Sequence, residues 1–456
     1  MHAYLTSDAT GAIPISTVTK ASLPAWLEAH PEHRQWFAAT GFVGDAGSFA
    51  FIPDQRGRLD GVLAAPCDGE PVWAFANLPA SLPEGVYKLV DDLGARAATE
   101  AAVGWNLGAY YFDRYKKPKR ASAVLVWPSG ADAGEVERIT RSVFLARDLI
   151  NTPAEDLGPD ELVEAGSKVA RAGGANVRVV RGEELLDQNY PAIHAVGRAS
   201  TRAPALLDFR WGEESAPKVT LVGKGVCFDT GGLHIKSHDG MLNMKRDMSG
   251  AAVVIGLAQA LISANAPIRL RALVPAVENA ISGNAIRPLD IIRTRAGKTV
   301  EVGNTDAEGR LILCDALHDA DSEKPDLLID VATLTGAAKI ALGPEVQALF
   351  CDDDEAASGL QAAGAAVGDP LWRMPIWRPY RKQIDGKCAD LNNFSASPLA
   401  GSIIGALYLA EFVSGAGNWA HLDIMAANLT ARPGRPEGGE ATGLRALYSY
   451  IRGRYA

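Results

Sequence analysis

The sequence predicts an α/β protein in which a smaller N-terminal α/β domain precedes a C-terminal domain with a mostly parallel sheet covered by helices on both faces. A chain of 456 residues is longer than a domain with a single hydrophobic core usually is, so two domains are expected. Hydrophobic residues make up 47% and charged residues 22%, as in globular proteins. Along the second half, apolar strands alternate with helical segments, which is typical of a parallel sheet buried on both faces.

The N-terminal α/β domain is predicted to span residues 1–130. Short apolar runs alternate there with turns rich in Gly, Pro and Asp. Four tryptophans predict that this part of the chain has a hydrophobic core of its own: Trp26, Trp36, Trp73 and Trp105. The sequence places no catalytic constellation in this domain.

A linker helix is predicted over residues 131–153. Its apolar residues recur at helical spacing: Val136, Ile139, Val143, Ala146 and Ile150. The helix is expected to end at Asn151-Thr-Pro153, because the residue before a proline avoids the α-helical backbone conformation.

The C-terminal domain, residues 154–456, is predicted to carry the activity. Apolar strands are predicted at 176–180, 218–222, 268–277, 326–333 and 419–424, and buried helices at 250–262 and 401–413. Open sheets of this kind bind ligands at the carboxyl ends of their strands. Gly223 follows one predicted strand and Gly303 follows another at 299–302. We therefore expect the segments after both glycines to lie at that edge.

The second of these segments is Asn304-Thr-Asp-Ala-Glu-Gly-Arg-Leu-Ile312. It places Asp306, Glu308 and Arg310 at alternate positions, and in an extended segment their side chains would point the same way. Three such charges beside a buried element are costly unless they are compensated, and a divalent cation compensates two carboxylates. For this string alone, the alternative is a solvated turn before a helix.

The first segment runs from Val222 to Lys236 and continues from Met244 to Ala252. It contributes the polar residues Lys224, Asp229, Lys236 and Asp247. Asp229 and Asp247, together with Asp306 and Glu308, form an oxygen-rich set that could hold two divalent cations. Two ions roughly 3.5–4 Å apart polarise a carbonyl and lower the pKa of a shared water. Hard oxygen ligands suit Mg²⁺ and Mn²⁺, and Zn²⁺ also accepts them.

Other common chemistries lack their sequence patterns. The chain has no His-Glu-x-x-His, and glycines around His234 and His238 favour a loop over a metal-binding helix. Gly223-Lys-Gly225 lacks the remaining residues of a phosphate loop or a dinucleotide fingerprint. Neither Ser237 nor Ser249 lies in a Gly-x-Ser-x-Gly elbow.

Composition and charge limit the partners and the compartment. A net charge of −9 disfavours a nucleic-acid partner, since such proteins normally present a basic face. Five scattered cysteines without a Cys-x-x-Cys pair predict free thiols in a reducing compartment. No apolar run approaches the roughly 18 residues of a membrane helix. A cytoplasmic protein is therefore expected.

The two polar segments together resemble the leucyl aminopeptidase family of two-metal exopeptidases, also called cytosol aminopeptidases. The octamer from Asn304 to Leu311 matches the family signature at every position, and the spacing from Lys224 to Asp247 fits the family pattern. Supporting stretches lie at 149–153, 330–337 and 420–424. The resemblance covers the last two thirds of the chain and is weak over the first 130 residues.

The resemblance implies a role for each metal ligand. Asp229 and Glu308 would each contact both metals. Lys224, as a neutral amine, and Asp247 would complete the tighter site, and Asp306 would serve the more exchangeable one. Burial and adjacent dications both lower the pKa of a lysine, so a neutral Lys224 is physically reasonable.

The resemblance also implies the catalytic and substrate-binding residues. A metal-bridging hydroxide would attack the scissile carbonyl, and Lys236 would stabilise the resulting oxyanion. Arg310 would hold bicarbonate as a general base. The residues implied to line the substrate side-chain pocket are Met244, Thr333, Leu334 and Gly336.

The resemblance thus implies a cytoplasmic aminopeptidase that removes N-terminal residues from peptides, preferring apolar ones such as leucine. It would be a homohexamer that uses two Mn²⁺ or Zn²⁺ ions per chain, with Mg²⁺ as an alternative. Two other functions stay open at this point. One is a DNA-binding regulator, which the net acidity disfavours. The other is a structural subunit, which the full set of polar site residues disfavours.

Overall fold

The computed structural model describes residues 4–413 and 419–456. The chain forms two compact units. The first unit comprises Met1–Phe144 and Leu429–Glu437, and the second comprises Leu145–Asn428 and Gly438–Ala456. Each unit combines strands and helices, which confirms the predicted α/β class. The domain boundaries predicted from sequence, at residues 130 and 153, remain a prediction.

The first unit is built on a six-stranded sheet in the described residues. Its strands are β1 (Leu5–Thr6), β2 (Ile13–Thr17), β3 (Phe49–Pro53), β4 (Leu59–Ala64), β5 (Val86–Leu89) and β6 (Val124–Val126). Its helices are α1 (Leu23–Ala29), α2 (Arg34–Thr40), α3 (Leu78–Ser81) and α4 (Gly94–Ala109). The strand order is β1-β6-β5-β2-β4-β3, and all neighbours are parallel except β3 and β4.

Tryptophans contribute unequally to the core of the first unit. Trp105 on α4 is fully buried and donates its indole N–H to Ala123 O at 3.0 Å. Trp73 is also buried, and Trp26 is half-buried. The prediction was wrong for Trp36, which is 42% exposed and donates to Phe51 O.

Glycine allows α4 to approach the segment before α3 closely. A Cβ on Gly104 would lie 1.8 Å from Val72 O, and one on Gly108 would lie 1.9 Å from Ala76 O. Only a residue without a side chain fits at such a distance. The two glycines, four residues apart on one helix face, therefore fix how α4 packs.

Helix α5 (Ala133–Asn151) lies within the range predicted for a helix, 131–153, and ends before Pro153, whereas its role as a linker between domains remains a prediction. The division between the two units falls within it, after Phe144.

The second unit begins within α5 and contains the remaining elements. Its strands are β7 (Asn176–Arg181), β8 (Ala205–Trp211), β9 (Lys218–Gly223), β10 (Gly225–Asp229), β11 (Arg269–Asn279), β12 (Ile291–Arg293), β13 (Thr299–Glu301), β14 (Leu327–Ala332), β15 (Gln347–Cys351), β16 (Leu371–Met374), β17 (Leu391–Asn392), β18 (Trp419–Asp423), β19 (Ala427–Asn428) and β20 (Gly438–Gly439). Its helices are α6 (Pro159–Ala172), α7 (Glu184–Asp187), α8 (Pro191–Gly197), α9 (His238–Met241), α10 (Ser249–Ser263), α11 (Gly309–Ser322), α12 (Gly336–Leu342), α13 (Asp354–Ala366), α14 (Gly401–Ala410) and α15 (Leu444–Arg454).

Within the described residues, the main sheet of this unit has nine strands. The order is β16-β15-β18-β14-β9-β11-β8-β7, and β10 extends β11 as a further partner. The central strands β11, β9, β14 and β18 are parallel to one another, whereas β8 is antiparallel to both of its neighbours and β15 to β18. The mostly parallel sheet is confirmed.

Helices α10 and α11 both pack against β9, β11 and β14, but they have different neighbours. Helix α10 contacts α6 and α15, whereas α11 contacts α8 and α14. The apolar residues of α11 share one core cluster with Val222 of β9 and Leu328 of β14. The side chains of the adjacent residues Leu221 in β9 and Ile329 in β14 point to the opposite face. Because both faces are covered, these strands are mostly apolar, as the sequence indicated; the exceptions are Lys218 and Thr220 in β9 and Asp330 in β14.

One strand differs from its predicted place. Residues Thr299–Glu301 form β13, which pairs with β12 and β17 in a separate three-stranded sheet. Gly303 therefore does not follow a strand of the main sheet. No helix among the described residues is long and apolar enough to cross a membrane.

Candidate metal centre

The five residues predicted as metal ligands converge at the carboxyl end of the main sheet. Lys224 separates β9 from β10, and Asp229 is the last residue of β10. Asp247 follows a short 3₁₀ helix and stands two residues before α10. Asp306 lies in a turn, and Glu308 is the N-cap residue immediately before α11. All except Asp306 are buried.

Lys224 lies between two carboxylates. Its Nζ is 2.7 Å from Asp247 Oδ2 and 3.1 Å from Glu308 Oε1, and it donates to Thr333 O at 2.9 Å. Its stem packs on Gly309, where a Cβ would lie 2.5 Å from Lys224 Cε. The glycine of the signature segment thus leaves room for this lysine.

Lys236 connects the other two carboxylates. Its Nζ is 2.8 Å from Asp229 Oδ2 and 2.5 Å from Asp306 Oδ1. Burial opposes its charged form, but both aspartates outweigh that effect and raise the pKa of the lysine. The two carboxylates therefore favour the charged form of Lys236.

Burial likewise opposes the charged form of Lys224, and the carboxylates of Asp247, Glu308 and Asp229 raise its pKa despite it. The raised pKa is a property of the protein groups alone. A neutral, metal-ligating Lys224 requires dications beside it, which shift the balance the other way by repelling the ammonium.

The carboxylates themselves fit a divalent cation. Oxygen atoms of Asp229, Asp306 and Glu308 all lie within 4.8 Å of one another. Glu308 Oε2 is buried and has no hydrogen-bond partner. Asp247 Oδ2 and Asp306 Oδ1 likewise accept no hydrogen bond, and each forms an ion pair with a lysine. Hard oxygen donors that lack partners are suited to a hard cation.

The raised pKa values of the buried acids also favour a bound cation. Burial raises the pKa of Glu308 to about 8, and the nearby carboxylate of Asp229 adds to the effect. Burial also raises the pKa values of Asp247 and Asp306, with Asp229 again contributing. Buried acids that destabilise one another in the charged form gain from a cation between them.

The geometry of the signature segment differs from the prediction. Asp306 and Glu308 reach the same site, but the segment is not an extended strand that carries three side chains on one face. Asn304 Oδ1 accepts the backbone N–H of Asp306 at 2.8 Å, which forms a turn, and α11 begins at Gly309. Arg310 therefore lies in the first turn of the helix.

Arg310 is buried and has no carboxylate partner within the described residues. It donates Nη1 to Asn393 O at 2.7 Å, its guanidinium carbon lies 5.9 Å from the ring centre of Tyr408, and its Nε has no acceptor. Burial lowers its pKa below the ordinary value. A buried guanidinium with a free donor can bind a small anion.

Several residues that position the ligands were missed by the sequence analysis. Asn279, the last residue of β11, donates Nδ2 to Asp229 Oδ1 at 2.8 Å and to Thr305 O at 3.0 Å. The backbone N–H of His234 donates to Thr305 Oγ1, and the Thr305 N–H donates to His234 Nδ1. His234 thus supports the signature loop and is not itself placed among the ligands.

Two more polar residues fix the segments on either side of the site. Asn393 accepts from the backbone N–H groups of Gly303 and Asn304, and its Nδ2 donates to Asn304 O and Ala307 O. Asp423 accepts from the backbone N–H groups of Leu334 and Thr335. Asn393 has polar neighbours in sequence, Asp390 and Asn392, and Asp423 lies in the stretch 420–424 that supports the family resemblance, but no spacing pattern assigns either residue to the site.

The centre opens into a cavity of about 390 Å³. All four residues predicted to bind substrate line it: Met244, Thr333, Leu334 and Gly336. Thr333 also donates to Asp247 Oδ1 at 2.8 Å, which ties the cavity wall to a predicted metal ligand. The cavity has further lining residues that the sequence did not single out: Arg246, Lys339, Ile424 and Met425.

Comparison with known proteins identifies the family. Residues 144–448 match the model described as the cytosol aminopeptidase family, catalytic domain, and residues 13–128 match the M17 aminopeptidase N-terminal domain. The chain belongs to the cytosol aminopeptidase family. The predicted resemblance is confirmed, and the match to the first unit extends it to residues where the sequence resemblance was weak.

Individual relatives agree with this assignment. A probable cytosol aminopeptidase from Geotalea uraniireducens is 38% identical over 403 residues, covering 83% of this chain and 81% of the relative. Peptidase B from an Enterobacter species is 42% identical over 350 residues, covering 74% and 82%.

Solved structures give the same result. A cytosol aminopeptidase from Coxiella burnetii superposes with a TM-score of 0.95 at 46% identity, covering 99% of this chain and all of the other. The bottromycin maturation enzyme BotP, solved in complex with Mn, has a TM-score of 0.88 at 31% identity and covers 97% and 99%.

The chain is therefore a metal-dependent aminopeptidase, a hydrolase that acts on peptides. These comparisons give no support to a DNA-binding regulator or a structural subunit.

Proposed function

We propose that this aminopeptidase uses two divalent cations at the carboxylate centre to release N-terminal residues, preferably apolar ones such as leucine. The observation that carries the proposal is the buried, unpartnered Glu308 Oε2 beside the oxygens of Asp229 and Asp306. Asp229 and Glu308 would contact both ions. Lys224 and Asp247 would complete one site, and Asp306 the other.

Two divalent ions, when bound, polarise the scissile carbonyl and lower the pKa of a water that they share. The remaining work is that of the chain's own residues. Lys236 is charged and reaches the cavity beside Asp229 and Asp306, so its ammonium can donate to the carbonyl oxygen as negative charge develops there. Because this contact strengthens in the transition state, it would act on kcat.

Arg310 would hold the anion that accepts the proton lost by the water, which we propose to be bicarbonate. The Arg310 Nε has no hydrogen-bond acceptor, and no carboxylate among the residues that the structure describes forms an ion pair with the guanidinium. An anion bound there would satisfy a buried charge that is otherwise uncompensated.

The substrate preference is supported by the cavity lining. Met244, Leu334, Ile424 and Met425 provide apolar surface beside the centre, and flexible methionines adapt to side chains of different shape. A leucine side chain gains about 1.5–3 kcal/mol when fully buried against such a surface.

Metal identity, assembly and compartment are part of the same proposal. We assign Mn²⁺ or Zn²⁺ because BotP was solved with Mn and because carboxylates accept both ions, with Mg²⁺ as an alternative. A homohexamer follows from the family resemblance and predicts a particle mass of six chains in light scattering. A cytoplasmic location is supported by the five free cysteines.

The experiment that tests the exopeptidase mode compares a peptide with its N-acetylated form. A free α-amine is a ligand for a divalent cation, and acetylation removes its lone pair. The metal-loaded enzyme should cleave leucyl peptides and leave the acetylated ones intact. Comparable kcat/KM values for both forms would rule out this mode of substrate binding.

A further inference from the structure

Two basic side chains that line the cavity have no role in the proposed chemistry. Four acidic side chains line the cavity, and each of them forms an ion pair with either Lys224 or Lys236. Arg246 and Lys339 also line it, yet neither forms an ion pair or a side-chain hydrogen bond with any residue the structure describes. The cavity wall therefore carries two positive charges without a protein counter-charge in contact.

Arg246 and Lys339 both lie beside residues that are proposed to surround the substrate side chain. Arg246 ends the 3₁₀ helix that begins at Met244. Lys339 is one turn after Gly336 on α12, and its Cε lies 3.9 Å from where a Cβ on Gly336 would be. These two basic residues come from segments about 90 residues apart in sequence and are brought to the same cavity only by the fold.

The two charges lie within electrostatic reach of each other. Partial desolvation lowers the pKa of Lys339, although the residue as a whole is exposed, and the positive charges of Arg246 and Lys236 lower it further. The carboxylates of Asp423 and Asp247 oppose these effects without outweighing them. Like charges that face one cavity destabilise each other until an anion enters between them. An arginine fork suits the two oxygens of a carboxylate, and a lysine adds a point charge.

We propose that Arg246 and Lys339 form a subsite for a carboxylate of the substrate, so that a substrate with a carboxylate near the scissile bond is preferred over its neutral amide. This inference rests on the proposed function. The carboxylate has two chemical sources: the side chain of an N-terminal glutamate or aspartate, and the C-terminus of a dipeptide. The neighbouring Met244 and Leu334 would contact the methylene groups of the substrate side chain, so peptides with apolar N-terminal residues remain substrates.

The test uses pairs of substrates that differ in charge and little in shape. Glutamyl and glutaminyl anilides compare a charged side chain with its neutral amide, and Leu-Leu and Leu-Leu-amide compare the C-termini. The ratio of kcat/KM within each pair is measured for the metal-loaded wild type, Arg246→Gln and Lys339→Gln. Lys168→Gln, at an exposed lysine on α6, serves as the matched loss of charge outside the cavity.

In the wild type, the charged member of at least one pair should be preferred. Arg246→Gln should lower that ratio roughly tenfold or more, as expected for a charge-assisted hydrogen bond. Lys339→Gln, at a more exposed position, should lower it roughly two- to fivefold. Lys168→Gln should leave it unchanged. Lys339→Glu should in addition favour lysyl over glutamyl anilide relative to the wild type.

The pair whose ratio changes identifies the source of the carboxylate. Ratios that are the same in the wild type, Arg246→Gln and Lys339→Gln, with normal cleavage of leucyl anilide, would overturn the subsite and leave the proposed function intact. Hydrolysis of none of the substrates by the metal-loaded wild type would overturn the proposed function and the subsite with it.

Discussion

The two lysines of the site look alike in sequence, but the structure predicts that their removal has different effects. Lys224 and Lys236 each contact two carboxylates. We assign Lys224 as a neutral metal ligand and Lys236 as a charged partner of the oxyanion. The substitutions Lys224→Met and Lys236→Met remove the amine of each and keep most of its stem.

The magnitudes follow from burial. The Lys224 side chain is 4% exposed and its two partners are 7% and 2% exposed, so metal-free Lys224→Met leaves two buried carboxylates without a counter-charge. Such a loss costs about 3–5 kcal/mol of unfolding free energy. Protonation of Glu308, whose pKa is already raised by burial, brings the cost towards the lower figure.

The cost for Lys236→Met is smaller, about 1–2 kcal/mol, because Lys236 is 16% and Asp306 31% exposed and water screens that pair. The buried partner Asp229 keeps its hydrogen bonds from the Gly231 backbone N–H and from Asn279 Nδ2. Its main effect is on the reaction. Loss of one donor to a developing oxyanion lowers kcat by roughly 10²–10³-fold. Because Lys236 is not assigned as a ligand, this variant should keep both metals.

The assay measures three quantities for both variants side by side: metal content after dialysis against a defined Mn²⁺ buffer, kcat with leucine amide, and the urea unfolding of metal-free protein. We expect Lys224→Met to lose one metal and Lys236→Met to lose kcat. Loss of a metal from Lys236→Met, with two retained by Lys224→Met, would show that the assignments are reversed.

Two further predictions concern stability. Gly104→Ala should lower the free energy of unfolding by about 1–3 kcal/mol or more, because its Cβ would lie 1.8 Å from Val72 O, whereas Gly85→Ala, with its nearest neighbour at 3.5 Å, should stay within about 0.5 kcal/mol in the same urea titration. Burial opposes the charged form of Glu440, but Arg147 outweighs it and holds the pKa of Glu440 below its usual value. The pair therefore stabilises the fold fully above pH ~4.3 and loses this contribution as the pH falls through the folded-state pKa. The gap in unfolding free energy between wild type and Glu440→Gln, about 3–5 kcal/mol at pH 7, should narrow in acid, and a gap independent of pH would contradict this assignment.

The sequence predicted the parts of the fold in which local pattern and burial agree. Strands β9 and β14 are mostly apolar because α10 and α11 pack against both, and a predominantly apolar run indicates a strand covered on two faces. The carboxylate centre was also predictable, because its acids come from two short segments with family spacing. Trp36 was misassigned because its indole N–H bonds Phe51 O at the surface, where the ring stays partly exposed.

Local spacing failed where a turn or a distant segment decides the geometry. The alternation of Asp306, Glu308 and Arg310 suggested a strand, but the turn at Asn304 and the helix that starts at Gly309 override a period of two over so few residues. Residues that meet only through the fold leave no pattern in the sequence. Asn279, Asn393, Arg246 and Lys339 belong to this class.

The central claim is that the carboxylate centre binds two catalytic cations, and metal content measured together with activity tests it most directly. Protein stripped with a chelator should be inactive. As Mn²⁺ is returned, the rate of leucine amide hydrolysis should rise until elemental analysis reaches two ions per chain, and Glu308→Gln should fail to reach that number. Full activity of protein verified to hold no metal would contradict the account.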